Sequence, residues 1–224
     1  MILQTEEVIR NITRLIDIEN KSILELGCGT GRITFALAER VQEIVAIDID
    51  TKAIEDARRR NLYDNVAFLV ENMEDFDLKR KFDLILSIGV GYMYLRDIPN
   101  VIKNISEHLE EDGVAFLICS SPDDEYQRIV DLIVEENVRT ISFYNEFEKL
   151  LSNYFTFEKT MLKGQLTFSD FDDVVHCFQR EMKKEYQKEL NNQEIQQLRD
   201  YFQEKNSLSV GNDSQAYICQ SNIT

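Results

Sequence analysis

Between residues 5 and 16 the apolar side chains Val8, Ile12, Leu15 and Ile16 recur at helical spacing behind Glu6 and Glu7, acids that suit the positive end of a helix dipole. An amphipathic first helix is expected there. A short apolar run at 22–26 breaks into glycines, and Ile33, Ala36 and Leu37 then restore helical spacing over 32–40. The alternation continues with strands expected at 43–48, 66–70, 82–88 and 114–119 and helices at 51–60 and 97–109, with Asp112-Gly113 as the turn before the last strand. Strands alternating with helices predict a mostly parallel sheet with right-handed crossovers.

Past Ser121-Pro122 the helical stretches lengthen, at 124–136 and 142–153, and a β-like run follows at 155–161. Two more helices, 169–188 and 193–205, precede a last strand near 216–220. The expected fold is therefore α/β, a doubly wound, mostly parallel seven-stranded sheet with a helical cap inserted between two edge strands near the C-terminus. One domain, 1–224, divides into an N-terminal helix (1–20), a core (21–121) and a C-terminal part (122–224) that includes the cap, 169–205.

Composition narrows the partners. With 25 Lys and Arg against 41 Asp and Glu, the net charge of −16 repels phosphate backbones and anionic lipid, so neither nucleic acid nor membrane is expected as a partner. Arg58, Arg59 and Arg60 read as the cationic end of a helix rather than a nucleic-acid strip. Cys28, Cys119, Cys177 and Cys219 are far apart, with no zinc spacing, so no metal site is expected and reduced thiols of a cytoplasmic protein are. The N-terminal residues lack a basic, apolar signal pattern and no run reaches membrane-spanning length.

The segment Ile23-Leu24-Glu25-Leu26-Gly27-Cys28-Gly29-Thr30-Gly31-Arg32 lies where the first strand becomes a helix. Glycines there let the chain turn sharply and let a nucleoside-containing cofactor lie against main chain. The dinucleotide fingerprint G-x-G-x-x-G/A would put a small residue where this chain has Arg32. With glycines at 27, 29 and 31 and Glu25 ahead, the segment instead resembles the first motif of class I methyltransferases, E/D-x-G-x-G-x-G.

The resemblance runs from Ile23 to Cys119 and implies a Rossmann-like methyltransferase fold with S-adenosylmethionine as cofactor. It places Gly27, Cys28, Gly29 and Gly31 against the methionine half and assigns Glu25 to the ammonium. Asp48, about twenty residues past the first glycine, matches the ribose-binding acid, with Ile49 beside it, whereas Asp50 reads as a helix cap. Glu71-Asn72-Met73 resembles the adenine segment; the family usually carries an acid where this chain has Asn72, whose amide oxygen can still accept from the adenine amine, while Met73 packs on the ring. Ser87 closes the cofactor set at the end of the fourth strand. The following Gly89-Val90-Gly91-Tyr92-Met93-Tyr94 resembles the segment that brings the acceptor to the sulfonium, without the D/N-P-P-Y/F pattern of nucleic-acid amino-methylating enzymes.

An enzyme transferring a methyl group to a small-molecule acceptor by in-line displacement is expected. Proximity can supply much of the rate, and a base is needed only if the nucleophile must lose a proton. Tyr92, Tyr94 and His176 are the candidate bases; no dedicated base is the alternative. His108 reads as a surface or boundary residue, and His176 faces away from the Phe171–Met182 apolar stripe. A non-catalytic cofactor-binding partner or scaffold subunit stays open, because fold does not fix function, and a protein or RNA methyltransferase is disfavoured by the charge. The acceptor and the oligomeric state are not legible.

Overall fold

The apolar runs become strands in the computed structural model, which describes residues 5–92, 95–121, 124–134 and 141–222. In chain order these are β1 (Ser22–Leu26), β2 (Glu43–Asp48), β3 (Val66–Val70), β4 (Phe82–Ile88), β5 (Leu109–Ser120), β6 (Phe155–Leu162), β7 (Gln165–Thr167), β8 (Ser209–Gly211) and β9 (Ser214–Ser221). Seven of them form one sheet in the order β3-β2-β1-β4-β5-β9-β6, parallel except where β9 pairs antiparallel with both β5 and β6. The order reverses at β1, and β1 pairs with β2 on one side and β4 on the other. Ligands of open α/β sheets lie at such a switch point, beyond the carboxyl ends of the strands.

Helices cover both faces, as strands apolar on both sides require. On one face α1 (Thr5–Leu15), α2 (Arg32–Leu37) and α3 (Thr51–Arg60) bury Val8, Ile12, Ile33, Leu37, Ile54 and Ala57 against β-strand residues such as Ile23 and Leu86. On the other, α4 (Ile98–Glu107) and α6 (Ile141–Ser152) bury Val101, Ile105, Phe147 and Leu151 against Leu24, Ile85 and Leu117. The remaining helices, α5 (Glu125–Val134), α7 (Phe171–Glu185) and α8 (Asn192–Lys205), gather around a third apolar cluster that includes Ile129, Val174, Phe178, Leu198 and Phe202. This third cluster is the core of the cap. No helix among the described residues is long and apolar enough to cross a membrane.

Three local expectations change. Two cap segments flanking the helices, β7 and β8, pair as a two-stranded ribbon and carry Leu166 and Val210 to the cap core. Asp112-Gly113 lies inside β5, where Leu109 pairs with Phe82 and Val114 with Leu84, so a bulge stands where a turn was expected. Gly113 is required there because a Cβ would lie 2.8 Å from Leu109 Cγ and 2.9 Å from Glu110 O. His108 is buried, not a boundary residue: Leu78 N–H donates to its Nε2 at 3.1 Å, and its Nδ1 lies 2.9 Å from Asn104 O. Both ring nitrogens are used in closing the C-terminus of α4 against the 75–78 loop.

Candidate active site

At the switch point the chain leaves β1 through three glycines with positive φ, +74° at Gly27, +54° at Gly29 and +83° at Gly31. Ile47 O on β2 accepts from the N–H groups of Gly27 at 2.9 Å and Cys28 at 3.0 Å, which draws the turn across the end of β2. The three glycines serve different ends. A Cβ on Gly27 would lie 2.7 Å from Val90 Cγ2, and one on Gly31 would lie 2.9 Å from both Phe35 and Phe68, so these two permit close packing. Around Gly29 a Cβ would meet nothing within 4 Å, so its backbone faces open space.

That space is a cleft of about 760 Å³ lined by Gly27, Gly29, Asp48, Ile49, Asn72 and Met73 from the residues expected at a cofactor. Asp48 bridges turn and helix: its Oδ2 accepts from Gly29 N–H at 2.7 Å and its Oδ1 from Asp50 N–H at 2.9 Å. Asp50 caps α3, its side chain accepting from Lys52 N–H at 2.9 Å and Ala53 N–H at 3.2 Å, as expected of a residue before the first turn. Ile49 is 69% exposed on the cleft wall, a large apolar side chain left mostly uncovered by the protein. Met73 is nearly buried, and Asn72 accepts from Glu74 N–H at 3.0 Å, leaving its carbonyl oxygen a second lone pair.

Val90, Gly91, Leu95 and Arg96 from the segment after β4, with Glu71 and Glu74 after β3, complete the wall. Glu71, Val90 and Gly91 belong to the two segments whose resemblance pointed to the adenine and the acceptor, whereas Glu74 and Arg96 were given no role by the sequence; all lie past a strand's carboxyl end. The lining holds four carboxylates, Asp48, Asp50, Glu71 and Glu74, against one guanidinium, Arg96. Its field favours a cationic ligand over a pyrophosphate. Open main chain at Gly29, an uncovered apolar wall and the Asp48 carboxylate fit a nucleoside bearing a positive charge.

Other expected residues are placed elsewhere. Glu25 is 3% exposed and turned to α2, where Thr34 Oγ1 donates to its Oε2 at 2.6 Å. Burial pushes its carboxyl up to about 7 against the opposing pull of the Thr34 bond and the Arg32 charge. Cys28 is buried in the turn, where burial and the neighbouring carboxylates push its thiol up. Gly31 caps α2 from below the cleft, and Ser87 is wholly buried.

Of the candidate bases, neither Tyr92 nor His176 lines the cleft. Tyr92 is 2% exposed and its ring lies 5.0 Å from that of Phe147, because α6 packs over the segment after β4 and draws the phenol into the core. Burial holds its hydroxyl well above the usual phenol value, despite the nearby Ser87 hydroxyl, so it is a poor base. His176 is exposed on α7 and lines no part of the cleft. Tyr94 lies outside the described residues.

Known proteins share part of this sequence or the fold of the whole chain. Among relatives, malonyl-[acyl-carrier protein] O-methyltransferase of Bacillus anthracis is 38% identical over 94 residues, 41% of this chain and 35% of that protein. Cypemycin N-terminal methyltransferase of a Streptomyces species is 28% identical over 114 residues, 50% of this chain and 46% of that protein. The chain thus matches less than half the length of each. Among solved structures, YcgJ of Bacillus subtilis superposes with a TM-score of 0.68 at 16% identity, covering 96% of this chain and 98% of that one. The N-methyltransferase NodS of Bradyrhizobium japonicum, in complex with S-adenosyl-L-homocysteine, superposes with a TM-score of 0.56 at 16% identity over 97% of this chain and 85% of that one. The family model described as a methyltransferase domain matches residues 17–206, from before β1 to the end of the cap helices, and the chain therefore belongs to the S-adenosylmethionine-dependent methyltransferases of class I.

Proposed function

We propose that the chain methylates a small-molecule acceptor, free or carrier-linked, by in-line displacement at the cleft beside Gly27 and Gly29. The observation that carries the cofactor half of this reading is the acid-lined cleft at the glycine turn, four carboxylates to one guanidinium. Backbone at Gly27 and Gly29 approaches the methionine half, Asp48 accepts from the ribose hydroxyls, Ile49 and Met73 flank the adenine, and the Asn72 oxygen accepts from its amine. Glu25, tied to Thr34, acts by fixing the strand-to-helix turn rather than by reaching into the cleft. Cys28, Gly31 and Ser87 support the site from beneath.

When bound, the cofactor supplies a methyl on positively charged sulfur with a neutral thioether as leaving group. The chain contributes alignment and exclusion of water, and the reading needs no base from Tyr92 or His176, neither of which lines the cleft. The small-molecule reading is supported by the net charge of −16, which disfavours nucleic acid. The malonyl-[acyl-carrier protein] O-methyltransferase relative matches 41% of this chain, and a carrier-linked acyl group is taken from it as one form the acceptor can have.

Calorimetry with S-adenosylhomocysteine, S-adenosylmethionine and a nicotinamide dinucleotide tests the first half; binding of the dinucleotide alone overturns it. Methyl-labelled cofactor incubated with fractionated cell extract tests the second. Label is expected in the dialysable fraction or on carrier-linked acyl groups, and label confined to RNA or to protein side chains overturns it.

A further inference from the structure

The carboxyl-terminal edge of the sheet continues past the cleft to the joint on which the cap stands. Ser121 follows β5, Asp213 precedes β9, and Ser121 N–H donates to Asp213 O at 3.0 Å. Polar side chains are buried around this joint, with Ser121 at 1%, Asp124 at 2% and Asn212 at 3% exposure. Two of its carboxylates account for their own burial. Asp124 accepts from Asp213 N–H at 2.7 Å and from Gln127 N–H at 3.2 Å, tying α5 to the start of β9. Glu125 accepts from Tyr201 Oη at 2.6 Å, from Gly211 N–H at 2.6 Å and from the Lys205 ammonium.

Asn212 does not account for its burial. Its N–H donates to Gly164 O at 2.9 Å, and its neighbours Gly211 and Asp213 are held by Glu125 and Asp124, so the backbone is fixed. Yet its side-chain Nδ2 is buried with no hydrogen-bond partner. A buried donor left unpaired is costly, and a fold that fixes one in place points to a partner that arrives from outside. Only an atom that accepts, in practice an oxygen, satisfies an amide N–H.

We propose that Asn212 is a specificity-determining residue, its amide donating to a neutral carbonyl or hydroxyl oxygen of the methyl acceptor seated between the cap and the ends of β5 and β9. The proposal rests on the methyltransferase reading above. From β1, where the cofactor turn begins, β9 is the third strand along, about 14 Å at the usual strand spacing, a span that a small acceptor bridges. Charge selects the neutral form. Asp213 is paired with Lys163 at 2.6 Å and Glu125 with Lys205, while no cation pairs with Asp124 among the described residues. A carboxylate brought to Asn212 meets the Asp124 charge; a neutral oxygen does not. Burial pushes the Asp124 carboxyl up to about 6 against the pull of its backbone hydrogen bonds from Asp213 and Gln127, and the Asp213 charge adds to the rise.

The test uses isotope-labelled full-length protein saturated with S-adenosylhomocysteine, whose binding separately checks the methyltransferase reading. Acetamide, acetate and methylammonium, matched in size, are titrated while the Asn212 side-chain amide and the Gly211 and Asp213 backbone amides are followed by NMR. Acetamide is expected to shift all three saturably, with acetate at least about tenfold weaker. Asn212→Ala loses the response at Gly211 and Asp213 with melting temperature and S-adenosylhomocysteine affinity near wild type, and Asn212→Asp moves the preference to methylammonium at a lower melting temperature, because its carboxylate is buried beside Asp124. Asn212→Ser, smaller but able to donate, recovers part of the acetamide response. The absence of a saturable acetamide shift, an unchanged response in Asn212→Ala, or an Asn212 amide in contact with a trapped water alone overturns the proposal.

Discussion

The cofactor cleft and the cap are built from opposite materials. The cleft is made from main chain and short side chains at strand ends, where Gly29, Asp48 and Asn72 are fixed by the sheet itself. The cap carries its own apolar core, Val174, Phe178, Met182, Leu198 and Phe202, and meets the sheet through buried polar groups at Asp124, Glu125 and Asn212. The Bacillus relative matches 41% of this chain, whereas full-length structural neighbours share about one residue in six, as 16% identity at a TM-score of 0.68 shows. A cofactor that does not change constrains the chain atom by atom; a cap needs only an apolar interior and a few well-placed ties.

Phe178→Ala gives the largest expected contrast. The side chain is wholly buried and stacks on Tyr126 at 4.8 Å, so its loss destabilises the cap by about 4 kcal/mol. Hydrogen exchange should quicken across α7 and α8 while S-adenosylhomocysteine affinity changes by less than about twofold, and a large affinity loss would show that the two regions are one cooperative unit.

At the glycine turn, Gly31→Ala is expected to cost about 3 kcal/mol of folding stability, since it combines left-handed φ with a 2.9 Å clash against Phe35 and Phe68. Gly29→Ala meets open space and should cost only about 1 kcal/mol while weakening S-adenosylhomocysteine binding more than about tenfold. Denaturation paired with calorimetry checks both, and a reversed ranking would mean that Gly29 packs and Gly31 binds.

Glu25 gives a pH signature. Its carboxyl is raised from 4.5 to about 7, so its protonated form is the one the fold favours. The stability it contributes is fully present below pH 4.5 and is lost as pH rises through 7. Wild type should lose up to about 3 kcal/mol relative to Glu25→Gln over that window, measured by urea denaturation across pH. A flat difference would show that the carboxyl stays ionised and solvated.

A smaller pair separates binding from capping. Asp48→Ala should cost about 2 kcal/mol of cofactor affinity, and Asp50→Ala about 1 kcal/mol of stability with affinity nearly unchanged. If titration places the larger affinity loss at Asp50, the register of the ribose contact is shifted by two residues.

The strands and the glycine turn were legible because each is a local pattern. β1, β2, β3 and β4 stand within the expected bounds, and Asp50 caps the helix that its position before Thr51 announced. What was not legible came from contacts distant in sequence. Tyr92 sits in a glycine-rich segment that reads as an acceptor edge, yet Phe147 on α6 draws it inward. His108 lies off the apolar stripe of its helix, yet Leu78 closes over it from a loop thirty residues earlier. β7 and β8 are three residues each, too short to show alternation, and exist because the cap helices bring them together.

The pairing of Leu162 with Ser214 at the end of the β6–β9 ladder makes those two strands, topologically, a single hairpin whose tip has grown into a compact body of helices and ribbon. Closing so long an excursion costs little more than closing a short one, because the entropy of closure rises only with the logarithm of length. The tip can therefore lengthen, shorten or be exchanged by recombination at one pair of facing residues without disturbing the ladder below. A family that varies its substrates has in this hairpin a place to splice new specificity onto an unaltered engine.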